Sequence, residues 1–185
     1  MKKVLLFASI LFAGVAANAQ INKGQWLAGG TLGFSSSKAG DNKTTNINLN
    51  PNAGYFVINN LAVGLEADYG YSKYKTKVAG ADFSTKTTSI GAAPFVRYYV
   101  LPTAQKTNVF VHGAYAFGST KSDDASSVSF NAFKFAAGPA FFLTPSVALE
   151  ASVYYQSQKA KYDAERTNTF GLAVGFQVHL GKAKK

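Results

Sequence analysis

Phe170-Gly171-Leu172-Ala173-Val174-Gly175-Phe176-Gln177-Val178-His179-Leu180 is the stretch that decides the fold. Its even positions are all large and apolar, and its odd positions are glycine, alanine, glutamine and histidine. A period of two belongs to an extended strand, whose successive side chains point to opposite faces. One face suits hydrocarbon and the other a tight polar interior.

The same alternation runs back through the chain as far as Trp26. It predicts eight strands, near 25–35, 44–57, 61–76, 83–100, 108–121, 128–144, 147–162 and 167–181. Connections after the second and sixth strands are tight, Ile58-Asn59-Asn60 and Thr144-Pro145-Ser146. Those after the first, third, fifth and seventh are richer in Lys, Asp, Gly and Ser. Short turns at one end and longer polar loops at the other match the periplasmic and extracellular ends of a membrane barrel. Outward candidates are Leu61, Val63, Leu65, Ala67, Tyr69 and Tyr71 in the third strand, and Ile90, Ala92, Pro94, Val96 and Tyr98 in the fourth. Two aromatic girdles are expected: Trp26, Tyr55, Tyr98, Phe110, Phe141 and Phe176 near the periplasm, and Phe34, Tyr69, Tyr71, Tyr115, Phe117, Phe133, Tyr155 and Phe170 near the outside.

The N-terminus supplies the compartment. Met1-Lys2-Lys3 is a positive head, Val4 to Ala16 an apolar run, and Ala17-Asn18-Ala19 a small-x-small cleavage site. This arrangement predicts a cleaved secretory signal over 1–19, because the apolar run is too short to span a bilayer as a helix. Residues 20–185 then form one domain. The chain has no cysteine, so disulfides and thiolate metal sites are excluded. A membrane-embedded chain without spanning helices has one way to satisfy its backbone in lipid, a closed barrel. The expected fold is therefore all-β, an eight-stranded antiparallel up-and-down transmembrane β-barrel. Alternation alone also fits a soluble lipocalin-like barrel with its apolar face inward, binding a small apolar ligand. Charges in mid-strand opposite unbroken apolar rows favour the inverted, membrane arrangement.

In strand count, polarity and compactness the chain resembles the eight-stranded outer-membrane β-barrel family of the OmpA and OmpX type. That resemblance implies an integral outer-membrane protein, folded by the barrel-assembly machinery, whose porin-like label reflects kinship of fold. It implies roles in envelope integrity, adhesion or surface interaction, without choosing among them or naming a protein partner.

Eight strands leave an interior just wide enough for side chains. The inward parity carries Glu66, Asp68, Arg97, Lys134 and Glu150, with His112 and His179 nearby. Buried charges require partners. The expectation is an interior ionic network that fills the lumen instead of forming a wide diffusion pore, with Arg97 paired to Glu66 and Glu150 reaching Lys134 or His179. Catalysis finds little support. A lipid-modifying enzyme at the outer rim needs a nucleophile with a histidine in reach, and both histidines fall toward the periplasm, pointing inward. Two isolated histidines also fall short of a zinc site. No catalytic residue, metal ligand or cofactor is expected.

Without Lys2 and Lys3, 17 basic residues remain against 9 acidic ones. Export and the lack of a continuous basic stripe argue against nucleic acid. Lys73, Lys75, Lys86 and Lys121 continue the outward parity of the third to fifth strands just beyond the outer aromatic ring. Two readings stand: contact with lipopolysaccharide phosphates among the outer-membrane lipids, helped by Lys159 and Lys161, or ordinary solvated loop charge that Asp41, Asp82, Asp123, Asp124, Asp163 and Glu165 partly balance.

Overall fold

The computed structural model describes residues 21–40, 42–78, 81–102, 106–123 and 125–181; the expected signal segment lies outside the described residues. Eight antiparallel strands form one closed barrel in chain order. They are β1 (Trp26–Ala39), β2 (Asn42–Ile58), β3 (Leu61–Val78), β4 (Ala81–Tyr99), β5 (Thr107–Ser122), β6 (Val128–Thr144), β7 (Val147–Ala160) and β8 (Thr167–Leu180). Every neighbour in sequence is a neighbour in space, and β8 closes onto β1 with Trp26 opposite Leu180.

The faces follow the parity of the sequence. Leu32, Phe34, Leu65, Ile90, Val153, Phe170, Leu172 and Val174 are exposed, while Glu66, Arg97, Glu150, Gln177 and His179 are buried. Apolar outside and polar inside is the arrangement of a barrel solvated by lipid, and it excludes the soluble, inward-apolar alternative. Aromatic residues pair directly across strands at both belts, Trp26 with Tyr55 at 5.2 Å between ring centroids, Tyr115 with Phe133 at 5.1 Å and Tyr155 with Phe170 at 4.8 Å. Phe110 departs from the expected lower girdle. It shares the parity of Asn108 and His112, so its ring is buried in the lumen.

The outer connections are shorter than expected because the strands use up the polar residues. β1 runs four residues beyond its expected end, and β3 and β4 reach 18 and 19 residues. At about 3.3 Å per residue and a tilt near 40°, the β3–β4 hairpin rises roughly 45 Å, well past an apolar band of about 25 Å. It therefore projects beyond the membrane as ordered strand. At the periplasmic end Asn60 takes φ 68° in the β2–β3 turn, a left-handed conformation that asparagine tolerates. Ile21, before β1, is buried against this turn, its carbonyl accepting from Asn60 N at 3.2 Å.

Three ladders are interrupted in mid-strand, each at a proline. The β2–β3 pairs lapse at Pro51, the β4–β5 pairs at Pro94 and the β6–β7 pairs at Pro139. Proline has no N–H to give its neighbour, yet the numbering of the pairs is the same on both sides of each gap. The barrel thus absorbs all three without a slip that would turn a face inside out.

Candidate functional site in the barrel lumen

Five of the inward charges meet at mid-height, but not in the expected pairs. Arg97 on β4 reaches across the lumen to Glu150 on β7, its Nη1 donating to Oε1 at 3.0 Å and Oε2 at 2.8 Å. The Tyr99 hydroxyl donates to the same carboxylate at 3.1 Å. Lys134 on β6 donates to Glu66 and, at 2.6 Å, to Asp68 on β3. The expected Arg97–Glu66 pair is therefore replaced by Arg97–Glu150, and Glu150 takes neither Lys134 nor His179. Register explains the exchange. Arg97 lies opposite Ala62 and Glu66 opposite Ala93, a four-residue offset along adjacent strands, or about 13 Å. Long side chains reaching into the lumen meet there instead, Arg97 with Glu150.

His112 joins the two groups. Its Nδ1 accepts from Arg97 Nε at 3.3 Å and its Nε2 faces Glu66 Oε2 at 3.3 Å. An imidazole carrying its proton on Nε2 satisfies both contacts. Asn50 on β2 donates to Asp68 and accepts from Thr31 Oγ1 at 3.4 Å, extending the network to β1. All five charges have partners, as burial requires.

Beneath this layer the lumen is filled. Phe56, Tyr99 and Phe142 surround His179 at 5.6, 5.5 and 5.3 Å between centroids, and Arg97 lies over the Phe110 ring at 4.6 Å. Above it the lumen is open, a cavity of about 760 Å³ bounded by residues such as Asn48, Ser72, Ser89, Ala132, Tyr154 and Gly171, with Lys134 at its base. The filling expected of the whole lumen is confined to the periplasmic half. The inward residues of the outer half are mostly too small to meet across it.

The outer lysines are likewise grouped by register. Lys73 stands directly opposite Lys86, Lys75 opposite Lys43, and Lys121 opposite Thr88. Lys43, Thr45, Tyr71, Lys73 and Lys75 line a recess of about 210 Å³ on the outward face. Lys43 escaped the sequence reading although its parity matches Ile47 and Leu49 on the same strand. Arg166 escaped it too, because it precedes β8 in a connection. Its guanidinium donates to Ser157 Oγ at 2.9 Å and Asn131 Oδ1 at 3.0 Å and lies 5.1 Å from the centre of the Phe133 ring. Tyr99 needed only that the β4 parity be carried one step beyond Arg97.

A closed antiparallel barrel with an apolar exterior, aromatic belts and an ionic interior is an integral outer-membrane protein. The chain belongs to the outer membrane protein beta-barrel domain family, whose model matches residues 5–177. Among solved structures it is similar to the outer membrane protein OprG from Pseudomonas aeruginosa, with 14% identity, a TM-score of 0.54, and coverage of 90% of this chain and 100% of that one. It is also similar to Neisserial surface protein A, with 22% identity, a TM-score of 0.49, and coverage of 83% and 94%. The Yersinia pestis outer membrane protein Ail gives 18% identity, a TM-score of 0.41, and coverage of 84% and 99%. No curated protein matches the chain.

Proposed function

We infer that this is a noncatalytic outer-membrane protein, delivered by a signal peptide cleaved after Ala19, whose barrel anchors a rigid strand extension at the cell surface. The observation that carries the reading is the double closure of the periplasmic half: the Arg97–Glu150–Tyr99 layer over the aromatic layer around His179. Solute diffusion through such a lumen would require an ion pair to separate without water, which costs several kcal/mol. The protein is thus a surface element and not a wide pore. Planar-bilayer recording tests this: the unmodified protein should show no large steady conductance, and nanosiemens-scale open channels would refute it.

The outer lysines give this surface element a partner in the lipid phosphates of the outer leaflet, lipopolysaccharide above all. The opposed pairs Lys73/Lys86 and Lys43/Lys75 support that reading, since like charges directly across strands are unfavourable unless an anion lies between them. Replacing Lys73, Lys75, Lys86 and Lys121 together by Gln should weaken lipopolysaccharide association at least tenfold with folding intact. Unchanged association would remove the idea.

A further inference from the structure

The closing seam of the barrel is incomplete. β1 and β8 pair from Trp26↔Leu180 to Leu32↔Val174 and no further, although both strands continue toward the outside, to Ala39 and from Thr167. Seven paired residues at about 3.3 Å each and a tilt near 40° rise about 18 Å, less than the roughly 25 Å apolar band. The separation therefore begins inside the membrane, at the level of the outer leaflet. Leu32 and Leu172 beside it are exposed and apolar, and Phe34 and Phe170 of the outer aromatic belt stand just above them.

Two free strand edges in hydrocarbon are tolerated only where they border a polar cavity or are covered. Here they border one. The same 760 Å³ cavity that rests on Lys134 reaches the seam, where Thr31, Gly33, Phe34, Phe170, Leu172 and Ala173 form part of its wall. The volume is within the range of small-molecule sites. Its polar wall offers amides and hydroxyls such as Asn48 and Ser72, and the charges at its base are already paired to one another. Among the described residues that line it, an ionic headgroup finds no free countercharge, whereas a hydroxyl-bearing neutral one finds donors and acceptors.

The geometry points to a lateral binding slot for a single-chain neutral amphiphile: a polar head in the outer half of the lumen, and an acyl chain leaving between β1 and β8 into the outer leaflet. A second acyl chain would not fit between two strands that are still joined at Leu32 and Val174. This inference stands apart from the lysine cluster, which faces lipid on β2 to β5.

The test uses the full mature protein in phosphatidylcholine nanodiscs and a 1-monooleoylglycerol probe with a photoactivated diazirine in mid-chain. Adducts should concentrate on Leu32, Phe34, Phe170 and Leu172, and tenfold excess unlabelled monooleoylglycerol should reduce them at least fivefold. A diazirine phosphatidylcholine should label the whole apolar belt and resist the competitor. Gly33→Leu should abolish competable labelling while keeping the heat shift, because a Cβ at Gly33 meets nothing closer than Asn48 Cβ at 3.7 Å. The seam itself is read in the cysteine-free background. Thr31→Cys with Gly175→Cys, a paired position, should oxidise to a disulfide, and Gly33→Cys with Ala173→Cys, the next inward pair if the ladder continued, should not. Even labelling around the belt, labelling indifferent to competitor, ready oxidation of the second cysteine pair, or a disulfide-linked dimer through Ala173→Cys alone would each overturn the proposal.

Discussion

Replacing Arg97 by Met tests the ionic layer at its centre. Arg97 and Glu150 are 3% and 1% exposed, so neither side chain has water to fall back on. In Arg97→Met, Glu150 keeps, among the described residues, only the Tyr99 hydroxyl as a donor, and His112 Nδ1 loses its donor as well. Removing one member of a buried pair costs about 3–5 kcal/mol, or roughly two to nearly four orders of magnitude in the folding equilibrium. With a urea dependence near 2 kcal/mol per molar, the midpoint should fall by roughly 2 M. The assay is urea unfolding in lipid vesicles, followed by the heat-shifted band on unboiled gels. The double variant Arg97→Met with Glu150→Gln keeps an acceptor for Tyr99 and leaves no unpaired charge. It should recover most of the loss, because removing both charges of a buried pair is often close to neutral. The coupling between the two substitutions should therefore exceed about 2 kcal/mol. If Arg97→Met lies within about 1 kcal/mol of the unmodified protein, or if the two changes simply add, the pair does not organise the lumen.

Other positions give sharper local contrasts. A Cβ on Gly138 would lie 1.9 Å from the Ala151 carbonyl oxygen, so Gly138→Ala should cost more than about 3 kcal/mol and abolish the heat shift, whereas Gly33→Ala should be neutral within about 0.5 kcal/mol. Asn60→Val should lower stability by about 1–2 kcal/mol through its left-handed backbone, and Asn60→Gly should not; urea midpoints of the pair separate the two effects. Phe56→Ala empties one wall of the aromatic layer around His179 and should cost about 3–5 kcal/mol with a measurable rise in single-channel conductance; stability lost with conductance unchanged would show that the ionic layer seals alone.

Strand number and facing were legible because period two is a local property. Each residue's face is set by its neighbours in sequence, and a slip of one would have exposed Glu66 or Arg97 to lipid. The β6 bounds match the alternation, while β1 extends to Ala39 through Ser36, Ser37 and Lys38, which carry no apolar alternation once the strand has left the membrane. The candidate site was legible as a set of residues and not as a set of bonds. Which carboxylate Arg97 takes depends on contacts across the lumen, between strands three apart, and these are fixed by shear and tilt. The seam could not be read from sequence either, since nothing in Gly33 or Ala173 says whether their strands remain paired.

The division of the lumen has a cause that is written along the strands. Read from outside inward, the lumen side of β4 is Thr87, Ser89, Gly91, Ala93, Phe95, Arg97, Tyr99, and that of β8 is Gly171, Ala173, Gly175, Gln177, His179. On both strands the large side chains come only near the periplasm, from Phe95 on β4 and from Gln177 on β8, so the same circle of eight strands is filled at one end and hollow at the other. The filled end carries the buried aromatic and ionic contacts that hold the barrel shut. The hollow end can therefore let β1 part from β8 without loss of closure, because the seven seam pairs lie on the filled half. Enlarging Ala173 should accordingly affect ligand capture and leave stability nearly untouched, whereas shrinking Gln177 or His179 should do the reverse. Parallel urea and photolabelling measurements on Ala173→Phe and His179→Ala would show that separation, and a loss of stability in both variants would contradict it.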